Sequence, residues 1–554
     1  MVADLLLRNA RVLDVFSGRV LETELAVANG KVLGFGADEA HVTQDLDGLY
    51  LVPGLIDAHV HLESSRLSPG EFARAILPHG TTAVIADPHE IANVLGLRGV
   101  QWMIEATKEL PLRAFFMAPS CVPASPWETP GAVLGPEEIR EILSWERVIG
   151  LGEVMNYPGV LAHDPVLLAK IAVAQGKPID GHAPGLSGSD LWRYVCAGPR
   201  TDHECTSLAE AEEKLRAGMH ILIREGTTAR NLAALIPLLT SLSAPFVHFC
   251  TDDREPETLL SEGHMDDLIR KAMAHGVPPE VALASATIHT ARAYGLVGLG
   301  ALAPGYYADF LVLSDLQSFR VEQVYVGGKL VAEGGRCVAE LPPMPPPPEA
   351  PLRVDLAKLS FRIPPGKGLA RAIQVIPNEV VTEEILVRPR VSGNEVVADP
   401  EQDILKIAVV ERHRGTGNVG LGLVRGFGLK TGALASTVAH DSHHIVVVGT
   451  NDEDMKAAVA ELVHLGGGQV VVRDGSVLAA LPLPIAGLMS DRPLAEVHRL
   501  SQELRAAARS LGSTLPDPFM TLSFLALPVI PALKITDLGL VDVRRFTIVP
   551  LFTG

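Results

Sequence analysis

The densest cluster of chemistry-bearing residues in the chain is Asp57-Ala-His59-Val-His61. Side chains alternate faces along a strand, so His59 and His61 point the same way and can grip one metal ion. Chance alone supplies the better part of one His-x-His pair in a 554-residue chain with 19 histidines, so the pair needs company. Glu153 follows VIGLG, His182 follows PIDG, His203 sits in TDHE, and Asp252 follows VHFCT. A single histidine is more often a hydrogen-bonded core or surface residue than a ligand. Six ligand-type residues at the ends of successive apolar runs are poorly explained in that way. They form a hard, thiolate-free set that suits Zn(II), Fe(II) or Mn(II), and a carboxylate among them can bridge two ions. Cys205 and Cys250 lie close to these residues in sequence and read as packing residues, since the set is complete without them. Metal ions held this way make water nucleophilic near neutral pH, so the chemistry indicated is hydrolysis.

Such residues need a scaffold that delivers them to one place. Between Val52 and Leu302 the sequence alternates apolar runs with helical stretches. Eight candidate strands are Val52–Ala58, Thr82–Ala86, Ala114–Ala118, Val148–Gly152, Pro178–Gly181, Arg200–His203, Ile221–Arg224 and Pro245–Thr251. Eight strand–helix units in this length predict an α/β fold of the (β/α)8 TIM-barrel type, with an open parallel sheet as the alternative. Barrel enzymes place their active sites at the C-terminal ends of strands, where all six residues fall.

Strand-and-turn patterns flank this segment. Asp4–Asn9, Leu25–Ala28 and Val32–Phe35 precede it, and Asp309–Leu313, Val321–Val326 and Lys329–Ala332 follow it. Asn29-Gly30 and Gly327-Gly328 supply hairpin turns. Both flanks, 1–52 and 305–340, are expected to build one small β-sandwich around the barrel at 53–304. The proline-rich stretch Leu341–Leu352 reads as a linker. Residues 353–554 read as a further α+β domain, with strands at Ile404–Val410 and Ile445–Val448, a helix at Asp452–His464 and a stop at Gly466–Gly468.

The formal net charge of −18 argues against a nucleic-acid groove, which needs clustered Lys and Arg. It leaves a free nucleobase open as substrate, because a base carries no phosphate. Five scattered cysteines without a CxxC pair indicate reduced thiols rather than a disulfide framework. The opening MVADLLLRNARVLDV lacks a basic stretch followed by a long apolar one, and no apolar run reaches the roughly 18 residues of a membrane span. A cytoplasmic protein with no membrane partner is expected.

Longer motifs narrow the reading. PGLIDAHVHLESS (Pro53–Ser65), ADPHEIANVLG (Ala86–Gly96), GLGEVMNYPGV (Gly150–Val160), GHAPGLSG (Gly181–Gly188), DHECTS (Asp202–Ser207), REGTTARNL (Arg224–Leu232) and CTDDR (Cys250–Arg254) resemble motifs of the adenine deaminases, within the amidohydrolase superfamily. So do AHDSHHIVVVGTND, LPLPIAGLMS (Leu481–Ser490) and PFMTLSFLALPVIPALKITDLGLVDV (Pro518–Val543) near the C-terminus. The likeness spans nearly the whole chain, with departures at Pro199, His289 and His444.

The resemblance implies hydrolytic deamination of adenine to hypoxanthine and ammonia, a role in purine salvage, and two divalent ions, Mn(II) or Fe(II) before Zn(II). Carried over by position, His59 and His61 bind one ion, Glu153 bridges, His182 and His203 bind the second, and Asp252 completes the site. Asp252 is then placed to shuttle a proton from the nucleophile to the leaving amine. His89 and Glu90, in DPHE, are candidates for protonating ring N1 or orienting the ring; the plain alternative for both is a helix start. A homo-oligomer is expected. The competing readings are another amidohydrolase acting on a cyclic amide, and a non-catalytic scaffold on the same fold. AHDSHH brings together His440, Asp441, His443 and His444, which could bind metal, close over the barrel mouth, or only satisfy a loop backbone.

Overall fold

The computed structural model describes residues 2–377 and 379–554. At its centre five parallel strands, Leu55–Val60, Thr81–Ala86, Arg113–Ala118, Val148–Val154 and Ile179–Gly181, lie side by side in chain order. Three more, Thr201–Asp202, His220–Arg224 and Val247–Cys250, form a second parallel set. Every residue of Leu55–Val60 and Thr81–Ala86 is buried, as expected of parallel strands covered on both faces. Backbone bonds tie the two sets together. The Asp252 amide donates to the carbonyl of His59 at 3.0 Å, and the Arg200 amide donates to that of Ile179 at 2.9 Å. The result is a curled parallel sheet with helices between successive strands.

The first expected strand, Val52–Ala58, is in fact two. Tyr50–Pro53 pairs with Phe310–Leu313 in the flanking sheet, and Leu55–Val60 begins the central one. The break falls at Pro53-Gly54. Proline offers no amide to continue a ladder. At Gly54 an added Cβ would sit 2.1 Å from Oγ1 of Thr82, so only glycine lets the neighbouring strand approach. The sixth strand is just two residues long, too short to impose a periodicity on the sequence.

The two flanks do meet. Strands from residues 3–53 and 310–337 share a single nine-stranded sheet. Its hairpin at Asn29-Gly30 has both residues at positive φ, 52° and 72°, the twist that a two-residue turn between antiparallel strands requires. The proline-rich segment has no regular structure but is not loose, because Trp102 Nε1 donates to the carbonyl of Pro345 at 3.1 Å.

The C-terminal part is built on an eight-stranded sheet that contains Ile404–Val410 and Ile445–Gly449. Helix Asp452–Leu465 starts where the side chain of Asn451 accepts the Asp454 amide, and it stops at Gly466 in the left-handed conformation. This domain packs on the C-terminal ends of the central strands. The Ser490 amide donates to the Arg66 carbonyl at 2.8 Å, and Asp537 accepts the Thr129 amide at 2.9 Å. Among the described residues no helix is long and apolar enough to cross a membrane.

Candidate active site

All six predicted ligand-type residues emerge at the C-terminal ends of the central strands, and the structure brings them together. His59 and Glu153 lie within strands; His61, His182, His203 and Asp252 follow one or two residues after strand ends. Buried aspartates to which the sequence reading gave no role hold these ends in place. Asp87 Oδ2 accepts the Glu153 amide at 2.9 Å, a contact that Gly152 makes possible, since a Cβ there would lie 2.2 Å from the same oxygen. Asp57 accepts the amide and the hydroxyl of Thr251, at 3.1 and 2.5 Å, and so fixes the residue before Asp252. Asp202 accepts the Ala183 amide at 2.9 Å and pairs with the buried Lys214 at 3.0 Å.

Glu153 stands between two pairs of histidines. Its Oε1 faces Nε2 of His61 at 3.3 Å and of His59 at 3.8 Å. Its Oε2 faces Nδ1 of His182 at 2.5 Å and Nε2 of His203 at 3.4 Å. Asp252 Oδ1 lies 3.2 Å from His61 Nε2 and 3.5 Å from His59 Nε2, while its Oδ2 accepts from Arg224 at 2.9 Å. Candidate ligand atoms of His59, His61 and Glu153 lie within 4.8 Å of one another, as do those of Glu153, His182 and His203. One carboxylate shared by two such triads is a geometry that could hold two divalent ions. Cys205 and Cys250 stay outside this set: Cys205 Sγ contacts Asp202 at 3.1 Å, and Cys250 is buried in a separate apolar cluster.

The electrostatics suit cation binding. Burial alone would push the carboxyls of Glu153 and Asp252 up, but the surrounding imidazoles, and for Asp252 the Arg224 guanidinium, hold both well below the usual carboxylate range. Burial lowers His203, yet Glu153 outweighs it and raises the ring to about 9. His59 is lowered by burial and by the neighbouring His203. Two carboxylates are thus held ionised among imidazoles, and a cation that displaces the ring protons would meet ready ligands.

Above this cluster lies a small pocket of about 80 Å³. His89 lines it, with Nδ1 3.4 Å from Glu153 Oε1. Glu90 also lines it, but its carboxylate turns to Ser64 and to His440 of the C-terminal domain. Of the AHDSHH segment, His440 and Asp441 reach the pocket, whereas His444 lies 3.4 Å from Asp537 away from it. The C-terminal domain supplies an apolar wall of Val380, Phe524, Leu527, Val529 and Ile530. Glu204 and Arg224, ion-paired with each other, complete the rim. Glu204 directly follows His203 in TDHE, a signal that sequence reading could have used; the wall residues come from an apolar run that nothing local marks as functional.

The family profile described as "Adenine deaminase C-terminal domain" matches residues 379–547, and that described as "Amidohydrolase family" matches residues 50–331. The chain is 50% identical to the adenine deaminase of Desulfatibacillum aliphaticivorans, over 99% of this chain and 97% of that protein. It is 50% identical to the adenine deaminase of Methanothrix thermoacetophila, again over 99% of this chain and 97% of that protein. A β-aspartyl dipeptidase structure from Fervidobacterium islandicum AW-1 matches at 19% identity and a TM-score of 0.47, covering 61% of this chain and 99% of that one. A two-carboxylate, four-histidine cluster under a wall built by the C-terminal domain, joined to near-full-length identity of about one half, leads to one assignment: the chain belongs to the adenine deaminase family of the amidohydrolases.

Proposed function

We propose that this chain catalyses the hydrolysis of adenine to hypoxanthine and ammonia. The observation that carries the reading is the shared Glu153 carboxylate, lying between two histidine pairs beneath a small pocket whose far wall is apolar. The curled sheet is read as a (β/α)8 barrel (53–304), set beside a small β-sandwich from both flanks (1–52 and 305–340). A linker (341–352) joins it to the domain at 353–554.

His59 and His61 would hold one ion, His182 and His203 a second, with Glu153 shared and Asp252 completing the set; these donors suit Mn(II), Fe(II) or Zn(II), and the family likeness favours Mn(II) or Fe(II). Ions bound there would lower the pKa of water from about 15.7 towards about 7. The protein's own groups do the rest. Water oxygen bonds to C6 as the C6–N1 π pair moves onto N1; the C6–N6 bond then breaks, and the second water proton ends on N1 of hypoxanthine. Asp252, held ionised between Arg224 and the imidazoles, accepts the proton of the attacking water and passes it to the departing amine, so that ammonia leaves neutral. His89 lies beside Glu153 and is placed to support the purine ring as charge builds on its nitrogens. Glu90 lines the pocket but does not serve as a direct acid, because its carboxylate is engaged by Ser64 and His440. The apolar wall packs against the edge of a planar base and keeps bulk water out.

The test is ammonia release from Mn(II)-replete protein offered adenine, guanine, cytosine and dihydropyrimidine amides. Turnover of adenine at least 10²-fold above the others is expected. Turnover confined to a cyclic amide would replace this reading with that of another amidohydrolase, and metal-replete protein inert on all of them would indicate a scaffold.

A further inference from the structure

The Glu90 side chain is where barrel and C-terminal domain meet inside the pocket. It sits in the first turn of helix His89–Leu95, is 1% exposed, and accepts from Ser64 Oγ at 3.0 Å on Oε1. The same oxygen lies 3.1 Å from Nδ1 of His440. The His440 ring is stacked on Phe524, with centroids 4.8 Å apart and planes 19° from parallel. One ring atom is therefore tied to a carboxylate and one face to an aromatic. The remaining nitrogen, Nε2, is buried and has no hydrogen-bond partner among the described residues, in a side chain that lines the pocket.

A metal ion between Glu90, His440 and His443 is the competing use of this cluster, since candidate ligand atoms lie within 4.8 Å of one another. The His443 ring speaks against it. Its Nδ1 accepts the Ala439 amide at 3.1 Å, so the neutral ring carries its proton on Nε2, the nitrogen facing Glu90 at 3.8 Å. A protonated nitrogen has no lone pair for a metal. The cluster is better suited to aiming a ring than to binding an ion.

We propose that His440 is a catalytic residue of the C-terminal domain that hydrogen-bonds a ring nitrogen of the purine from Nε2, with Glu90 as its positioning residue. This rests on the deaminase reading above. A carboxylate on Nδ1 fixes both the orientation of an imidazole and the proton on that nitrogen, leaving Nε2 to the substrate. Burial works against a charged ring here, but Glu90, helped by Asp253 and Asp441, outweighs it and raises His440 to about 9, so that near neutral pH Nε2 carries a proton and donates. Adenine offers acceptors at N1, N3 and N7. Attack at C6 pushes electron density onto the ring nitrogens, so the bond strengthens in the transition state and acts on kcat as well as on KM. It also gives the C-terminal domain a direct chemical part in the reaction.

Nitrogen-to-carbon analogues test this. Inhibition constants of 1-deaza-, 3-deaza- and 7-deazaadenine are measured on wild type, His440→Asn and Glu90→Gln, alongside kcat and KM for adenine, at matched Mn(II) content. In wild type one analogue should bind weaker than the other two by ~10–100-fold. His440→Asn should abolish that difference and reduce kcat/KM for adenine by a similar factor, and Glu90→Gln should fall between. A folded His440→Asn protein that keeps the wild-type ranking of the three analogues, or wild-type kcat/KM, overturns the proposal. Should His440→Asn fail to fold, an unchanged ranking in Glu90→Gln overturns it instead. Wild type inert on adenine would sink the deaminase reading itself, which is a separate and recognisable result.

Discussion

Arg224 donates from Nη1 to Oδ2 of Asp252 at 2.9 Å, which leaves Oδ1 of that carboxylate facing His59 and His61. The two oxygens of Asp252 thus have different work, one anchored by a guanidinium and one turned to the reacting side. Asp252→Asn keeps the size and loses the proton affinity. Its kcat should fall by ~10²–10⁴-fold, the usual worth of a proton shuttle, with the melting temperature within a few degrees of wild type. Turnover at the wild-type rate would take Asp252 out of the mechanism.

Gly152→Ala tests how the shared carboxylate is held. The added Cβ would meet Asp87 Oδ2 at 2.2 Å, against the very oxygen that accepts the Glu153 amide. Either Asp87 or the strand end must move, at a cost of about 1–3 kcal/mol for an overpacked site. Because Glu153 moves with it, the variant should bind less metal than wild type when both are loaded with Mn(II) and dialysed. Elemental analysis that finds equal metal in both proteins would show that Asp87 does not set the position of Glu153.

The parts of the site that alternate or terminate were legible in the sequence. His59 and His61 share a strand face because the period is two, and Glu153, His182 and Asp252 each follow a run that reads as a buried strand, whereas the two-residue strand before His203 left little local signal. Helix Asp452–Leu465 announced itself by the glycines after it, while the Asn451 cap at its start is a finding of the structure. What stayed hidden depends on packing between distant segments. Glu90 pairs with His440, and Val380 shares a pocket wall with Phe524, yet no local spacing encodes either meeting. The division of Val52–Ala58 at Pro53-Gly54 was readable in principle, but apolar residues on both sides masked it.

Lys534 lies fully buried and donates to the carbonyls of Val380 at 2.7 Å and Phe524 at 3.0 Å, tying together two segments of the pocket wall. Burial lowers its amine from 10.5 to about 7. The unfolded chain therefore holds more protons than the folded one between these values, so stability rises with pH across this window. Put the other way, stability is lost as pH falls from 10.5 to about 7, and no further loss comes from this group below that. Lys534→Met removes the titration and the two bonds. The difference in unfolding free energy between wild type and variant, followed by urea titration, should shift in favour of wild type as pH rises from 7 to 10. A difference that does not vary with pH would mean that Lys534 stays charged when folded. In the same variant KM for adenine should rise several-fold more than kcat falls, because the wall loses its ties while the ligand cluster keeps its own.

Selectivity for the free base is expected from the same wall. The pocket over the ligand cluster measures about 80 Å³ and is bounded on one side by Phe524, Leu527, Val529 and Ile530. A planar base with its C6 over the cluster would lay its remaining edge against these side chains, which offer a ribose no hydrogen-bond partners and little room. A wider cleft of about 720 Å³ adjoins it past Thr228, Val380 and Phe524, so a larger ligand could approach the mouth without entering. Clash with the wall and desolvation of unpaired hydroxyls both act against a nucleoside, and the clash is the stronger of the two because an apolar surface alone rejects a hydroxyl only weakly. The net charge of −18 adds a long-range penalty for AMP. kcat/KM for adenine should therefore exceed that for adenosine by ~10³-fold or more, with AMP lower still. Phe524→Ala and Leu527→Ala should narrow the gap by weakening adenine more than adenosine. If wild type handles adenosine within tenfold of adenine, the C-terminal wall does not close over the base, and the substrate must enter along a different face of the pocket.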